Sequence, residues 1–561
     1  VIGTADPHSA RLASKRRPSD SDRHALHRLP VREGVRDRTP PTPTQHRFEG
    51  RLDGSLLVPS THNEKGPGAE DTGADRSPRK MTMNNTATVS QPTLQEQLEG
   101  GAKSHRNQAQ VAHEFAVDHR GRFLFVRNKG WMAFNGQRWV DDTGLTQDAL
   151  LKTLLRLREQ GTEMMASGRF DHDEILERQG KNLLTLVKAC ESASGLAGVL
   201  KIASNLQGMT ATIDQLDADG HVLNMPNGTL DLNTMQVRPH DPEDLITRIT
   251  RGSFDPTHPR QSSVWDGFLN QVLPDADVQG FFQRINGLAL IGEVIENIFT
   301  IATGTGRNGK GVAYGAVMHS LGDYAAVAED GLFEVQRGGN SQSASPGLAK
   351  LRGVRLLVAS ELEEKARISA AFMKRMTGGD RITARELYGS PFEFSPAFLI
   401  LMITNYLPKL PANDPATWAR VRVVPFRVVV PKDQQDPYLG SKLKDDADAV
   451  LAWAVEGLAD YLANGLDEPA SVLAATQDYA ESQDDVRRFV EARCTDTSSG
   501  GDTTTILHYA FLDWADKEGI HGVHVLGRTK FGEALDRLGV TATRTNKGAV
   551  RTGLIVDQSA A

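Results

Sequence analysis

The sequence predicts an α/β protein built on a parallel sheet, with an α+β domain ahead of the sheet and a small helical module behind it. Three apolar runs carry this expectation. Residues 297–303 open onto Gly304-Thr305-Gly306-Arg307-Asn308-Gly309-Lys310-Gly311-Val312, and residues 354–361 and 398–405 each end on a polar side chain. Strands of a parallel sheet are buried on both faces and read as continuous apolar runs. Ligands of such sheets gather at the carboxyl ends of the strands.

Composition narrows the classes. At 561 residues the chain has room for about three domains. It carries 64 Lys+Arg against 71 Asp+Glu, a net charge of -7, so a nucleic acid would have to meet a local basic surface. The only cysteines are Cys190 and Cys494, which excludes a disulfide framework and a cysteine-based zinc site. No run reaches the length of a membrane span, and no apolar signal core is present near the start. A soluble, cytoplasmic protein is expected.

Residues 1–105 are rich in Arg, Pro, Ser, Thr, Asp and His and lack apolar periodicity. Such a stretch buries too little surface to offset chain entropy, so disorder is expected. The chain opens on Val1, and Met81 or Met83 is the expected start; earlier residues read as an extension or tail. The alternative is an Arg-rich arm that touches DNA.

Residues 106–256 predict an accessory domain. A helix from Gln108 leads to an apolar strand at 122–127, then to a hairpin around Asn135-Gly136. Trp131, Phe134 and Trp139 are expected to pack a small sheet on helices, with base stacking as the alternative. Residues 148–204 are helical, and Asp171-His172-Asp173 reads as a helix cap, not a metal site. A second turn is expected at Asn227-Gly228, then a linker through 254–263.

The core spans 263–430. Trp265, Phe268, Leu269, Phe281, Phe282 and Ile285 recur at helical intervals. Gly304, Gly309 and Lys310 then hold the spacing of a phosphate-binding loop, G-x-x-x-x-G-K. Glycines allow the tight turn that aims N–H groups at phosphate oxygens. The following helix points its positive end at the same anion. Gly311 stands where a magnesium-binding Ser or Thr is usual. Glu361 ends one strand, placed to hold Mg²⁺ or polarise water. Asn405 ends another, placed to sense a γ-phosphate with its amide. Lys374, Arg375, Arg381 and Arg385 surround a Gly-Gly turn and two short strands meeting near Tyr388. Trp418, Arg420 and Arg422 lead a further strand, and arginine suits charge stabilisation on a transferring phosphoryl group.

These elements, in this order, resemble the superfamily 3 helicases of the phage, plasmid and poxvirus primase–helicase type. The carriers are Gly304, Gly306, Asn308, Gly309 and Lys310, then Ser360-Glu361, Thr377-Gly-Gly-Asp380, Thr404-Asn405, and Trp418 through Phe426. Trp131, Gly136, Trp139 and Asn227-Gly-Thr-Leu-Asp231 resemble the accessory domain of the same proteins. The resemblance implies an AAA+-like P-loop ATPase core using ATP and Mg²⁺. It implies a hexameric ring around single-stranded or forked DNA, a separate primase as a further partner, 3′→5′ unwinding, and a phage or mobile element in a bacterial host. Lys310 would bind phosphates, Glu361 act on Mg²⁺ and water, Asn405 sense the γ-phosphate, and Arg420 serve the neighbouring subunit. Residues 304–312 would cradle the nucleotide. Lys374, Arg375, Arg381, Arg385 and Tyr388 would meet DNA inside the ring.

Behind the core, residues 431–480 predict a helical lid with Leu443, Val450, Leu451, Ala454 and Leu458 on one stripe. Residues 484–556 predict a winged-helix-like module, with Thr529, Lys530 and Arg537 toward DNA and a basic strand pair around Arg544, Lys547 and Arg551; a protein-contact role is the alternative. Gly311 leaves a second functional class open, an ATP-binding initiator or scaffold that assembles on DNA without unwinding it. A small-molecule kinase would not need Asn405, Arg420 and the basic trailing module. No strand-borne carboxylate pair is present, so no primase activity is expected of this chain alone.

Overall fold

The Gln108–His119 helix buries Val111, Ala112, Phe115 and Ala116 against the first sheet, as its apolar spacing requires. The structure is a computed structural model that describes residues 107–557, apart from 259, 262–263, 336–345, 361–365, 386–390, 521–524 and 547. Strands β1 (Phe123–Val126), β2 (Gly130–Phe134), β3 (Trp139–Asp141) and β4 (Thr210–Ala211) lie in the order β3-β2-β1-β4. The expected hairpin turn forms. Asn135 Oδ1 accepts from the Gln137 and Arg138 N–H groups, and Gly136 takes φ 97°. Trp139 is buried at 3% exposure, and its Nε1 donates to the Pro242 carbonyl. Trp131 and Phe134 pack on the same small cores. The aromatics brace this sheet.

Helices Leu145–Phe170 and Glu174–Cys190 form an antiparallel pair. Asp173 caps the second, accepting from the Ile175 and Leu176 N–H groups. The Asp-His-Asp stretch is therefore the helix cap expected of it. After helix Ala193–Ala203, β5 (Val222–Met225), β6 (Gly228–Asp231) and β7 (Gln236–Arg238) make a second antiparallel sheet.

The core follows helices Val264–Val272 and Ala276–Leu288. Strands β8 (Phe299–Thr303), β9 (Ala325–Val327) and β10 (Leu356–Ser360) lead to the antiparallel hairpin of β11 (Ile382–Arg385) and β12 (Pro391–Phe394). Strands β13 (Leu399–Thr404) and β14 (Val421–Pro425) complete a five-stranded sheet in the order β14-β8-β13-β10-β9, parallel throughout. Alternation along each strand divides the core. Ala302, Leu356, Val358, Leu401 and Val424 face one apolar cluster, and Phe299, Ile301, Leu357, Ile400, Met402, Val421 and Val423 face the other. Burial on both faces is why these segments read as unbroken apolar runs.

Helices Leu439–Asp445, Ala447–Asn464 and Ala470–Ser482 follow. Leu443, Val450, Leu451, Ala454 and Leu458 are all buried, as their stripe predicts. The Ala447–Asn464 helix lies so close to Ala276–Leu288 that a Cβ on Gly287 would stand 2.2 Å from the Leu458 nitrogen. Helices Asp485–Arg493, Thr504–Lys517 and Arg528–Arg537 share an apolar core of their own. Strands β15 (Cys494–Asp496) and β18 (Leu554–Val556) pair with each other, as do β16 (Ala542–Thr545) and β17 (Gly548–Arg551). Among the described residues no single helix is long and apolar enough to cross a membrane.

Candidate nucleotide-binding site

The register brings the site to one edge of the parallel sheet. Thr303 at the end of β8 pairs with Thr404 on β13 and Pro425 on β14, and Ser360 on β10 pairs with Ile403. The glycine loop, Asn405 and Phe426 therefore leave the sheet side by side. Because β8 sits between β13 and β14, the loop occupies the crevice where crossovers depart to opposite sides. Glu361 and Tyr388 lie outside the described residues.

The loop needs its glycines for different reasons. A Cβ on Gly304 would stand 2.0 Å from Asn308 Nδ2 and 2.4 Å from the Phe426 carbonyl. Gly309 holds φ 77° as the residue ahead of the Lys310–Leu321 helix. That helix starts at Lys310. A Cβ on Gly311 would meet nothing within 4 Å. Among the described residues, no backbone N–H from 305 to 312 donates to a protein acceptor. Residues 306–312 line a cavity of about 700 Å³, together with Ile403, Thr404, Asn405 and Tyr406.

Lys310 is 6% exposed and lies across this cradle. Its Nζ donates to the Gly304 carbonyl at 2.9 Å, to Asn308 Oδ1 at 3.3 Å and to Asn405 Oδ1 at 2.7 Å. Burial pushes its ammonium below the ordinary lysine range. Asn308 is 2% exposed, and its Nδ2 donates to the Phe426 carbonyl at 3.1 Å, tying the loop to the end of β14. Unpaired N–H groups around a buried cation form a cradle for a polyphosphate. Mg²⁺ binds through few carboxylates and keeps several waters, so the open space at Gly311 suits a hydrated ion. Among the described residues no cluster of three or more His, Cys, Asp or Glu is placed to hold a metal.

Arg420 is not brought to this cradle within the chain. The Phe299 N–H donates to the Arg420 carbonyl at 2.7 Å, so Arg420 stands at the amino ends of β8 and β14. Five strand residues separate it from Gly304, roughly 16 Å along the sheet. It donates from Nη1 to the Ala416 carbonyl at 2.8 Å, and its buried Nε has no partner among the described residues. Arg422 differs, with its Nε paired to Glu468 at 2.7 Å.

The expected DNA cations split likewise. Lys374 is committed to Asp414 at 2.7 Å, which makes it a poor phosphate contact. Arg375 stacks over the Phe372 ring. Arg381 is 73% exposed and reaches Glu393 across the hairpin at 3.5 Å. Arg385 closes β11 beside the hairpin tip. In the C-terminal module, Arg551 is 4% exposed and bonds the Gly532 and Val540 carbonyls, so it braces the fold and does not face DNA. Arg537 donates to Asn413 at 2.6 Å. Thr529, Lys530 and Arg544 are exposed.

Sequence reasoning missed Asp414 and Glu468. Asp414 caps the short Pro415–Trp418 helix and has Pro at the next position, a readable start signal. Its tie to Lys374 has no such signal.

Residues 112–274 match the family described as D5 N terminal like. A protein named "putative helicase" from Acanthamoeba polyphaga mimivirus is 26% identical over 422 residues, covering 70% of this chain and 43% of its own length. A "putative helicase" of Frog virus 3 is 32% identical over 274 residues, covering 46% of this chain and 28% of its own. A "putative primase" of African swine fever virus is 22% identical over 342 residues, covering 56% of this chain and 35% of its own. The chain is similar to viral proteins of the primase and helicase kind. It spans less than half the length of these relatives. The expected bacterial host finds no support, because these relatives belong to viruses of an amoeba, a frog and swine.

Proposed function

We propose that this chain is the motor of a replicative DNA helicase of superfamily 3. It hydrolyses ATP between subunits of a hexameric ring and translocates on single-stranded DNA. One observation carries the reading. The buried Lys310 ammonium lies among unpaired backbone N–H groups and is bonded at 2.7 Å to Asn405, the residue ending the adjacent strand. In this reading the N–H groups of 305–312 and Lys310 bind the β- and γ-phosphates. Asn405 gives up Lys310 when the γ-phosphate arrives and orients it instead. Glu361, the residue that follows Ser360 in the sequence, holds the metal or the attacking water. Bound Mg²⁺ supplies charge neutralisation on the phosphate oxygens. Arg420, remote from its own cradle, completes that of the next subunit. Arg381 and the hairpin track the DNA backbone, with a separate primase as a further partner.

The test is DNA-stimulated ATP hydrolysis and strand displacement by the wild type and Lys310→Ala. The reading requires both activities in the wild type and neither in the variant. Gly311 favours a second reading, an ATP-binding scaffold or initiator; turnover without strand displacement would establish it.

A further inference from the structure

Arg420 and Arg422 lie two residues apart, and the structure gives them opposite roles. Arg420 carries no ion pair among the described residues. Arg422 is tied through two of its three nitrogens. Its Nε donates to Glu468 Oε1 at 2.7 Å, with the two side chains 18% and 20% exposed. Its Nη1 donates to the Ala419 carbonyl at 3.0 Å and to the Val421 carbonyl at 2.8 Å. Those carbonyls stand on either side of Arg420. The guanidinium thus pins the peptide group ahead of Arg420 and the one after Val421, while the Phe299 N–H holds the Arg420 carbonyl between them.

The anchor comes from another element. Glu468 precedes the Ala470–Ser482 helix, which packs along β14. The Val423 N–H donates to Thr476 Oγ1 on that helix at 3.0 Å, so helix and strand are also joined one residue beyond Arg422. A guanidinium can serve a carboxylate and two carbonyls together because its donors are fixed in a plane; an ammonium offers no such fork. The pair sits at low exposure, where each bond is weakly screened.

We propose that Arg422 and Glu468 are positioning residues for Arg420, holding the backbone that aims its guanidinium at the nucleotide of the adjacent subunit. This rests on the reading of Arg420 as a residue acting in trans. The alternative is a brace for the fold with no bearing on catalysis.

The test uses the full chain carrying Glu468→Gln or Arg422→Lys, with Arg420→Ala as reference. A displacement of this kind lowers kcat about tenfold to a hundredfold. KM and nucleotide affinity stay at wild-type values, because each variant keeps its own phosphate loop. Mixing Glu468→Gln with Lys310→Ala subunits then restores turnover, since the latter supply an intact Arg420 segment to a working cradle. Wild-type kcat in both variants overturns the proposal. So does a loss that mixing does not rescue, or one matched by lost nucleotide binding and a lowered melting temperature. Undiminished turnover in Arg420→Ala overturns the trans reading itself, and the proposal with it. Loss in Arg420→Ala alone overturns only the proposal.

Discussion

The Lys310 ammonium and the Asn405 side-chain oxygen are hydrogen-bonded at 2.7 Å, joining the first helix turn after β8 to the carboxyl end of β13. The bond holds the lysine where a phosphate would compete for it. Asn405→Ala releases that hold and removes the group proposed to orient the γ-phosphate. Steady-state ATPase assays should show kcat reduced about a hundredfold, in the range of losing one preorganised donor. KM should change little, because the N–H cradle is untouched. A rise in KM at constant kcat would instead make Asn405 a simple binding group.

Gly311→Ser adds its side chain into open space, since a Cβ there meets nothing within 4 Å. Folding should be unaffected. The new hydroxyl provides one more oxygen for the ion. The Mg²⁺ concentration giving half-maximal ATPase should fall about threefold to tenfold, as one added hydrogen-bond-scale contact allows. An unchanged Mg²⁺ profile would show that water already fills that position.

Lys374→Met separates two roles for a basic residue. Its charge is committed to Asp414, which also accepts from Thr417 Oγ1 at 2.9 Å. Single-strand affinity measured against salt should keep its wild-type slope in this variant. Arg381→Ala, by contrast, should reduce that slope by about one. The opposite pattern would return Lys374 to the DNA face.

His119 gives a pH signature to the accessory domain. It is 7% exposed and shares a hydrogen bond with Thr153 Oγ1 at 3.0 Å. Burial, the largest influence, holds its pKa below the ordinary 6.5. Its neutral form is favoured in the fold, so the unfolded chain binds more protons below pH 6.5. The stability term is complete above that pH and is lost as the pH falls through the folded value. Thermal melting between pH 7 and pH 5 should show a decline that His119→Gln flattens, bounded by about 1.4 kcal/mol per pH unit for one proton. A decline of equal slope in both proteins would assign it to other groups.

What the sequence discloses depends on how local the physics is. The strands of the parallel sheet were legible because each is apolar on both faces, as Leu356, Leu357 and Val358 show. The phosphate loop was legible because its glycine and lysine spacing is local, as are the φ of 77° at Gly309 and the approach of Asn308 to Gly304, although Gly304 also answers to the distant Phe426 carbonyl. The Asn135-Gly136 turn and the Asp173 cap are equally local. The partner of Lys374 lies 40 positions downstream, and that of Arg422 lies 46. No periodicity or composition marks such pairings, so both residues looked like free cations. Arg551 lies on the strand pair expected for it, but the carbonyls it bonds come from a helix and a turn ahead of that strand and carry no local signal.

Strand direction has a last consequence. Because β8 and β14 run parallel, the glycine loop and Arg420 leave opposite ends of the same two strands. On the proposed reading, one chain owns both halves of a reaction centre and can never close them on itself. Turnover then becomes a property of protein concentration. Dilution below the assembly threshold would silence every subunit together, without any inhibitor and without unfolding one of them.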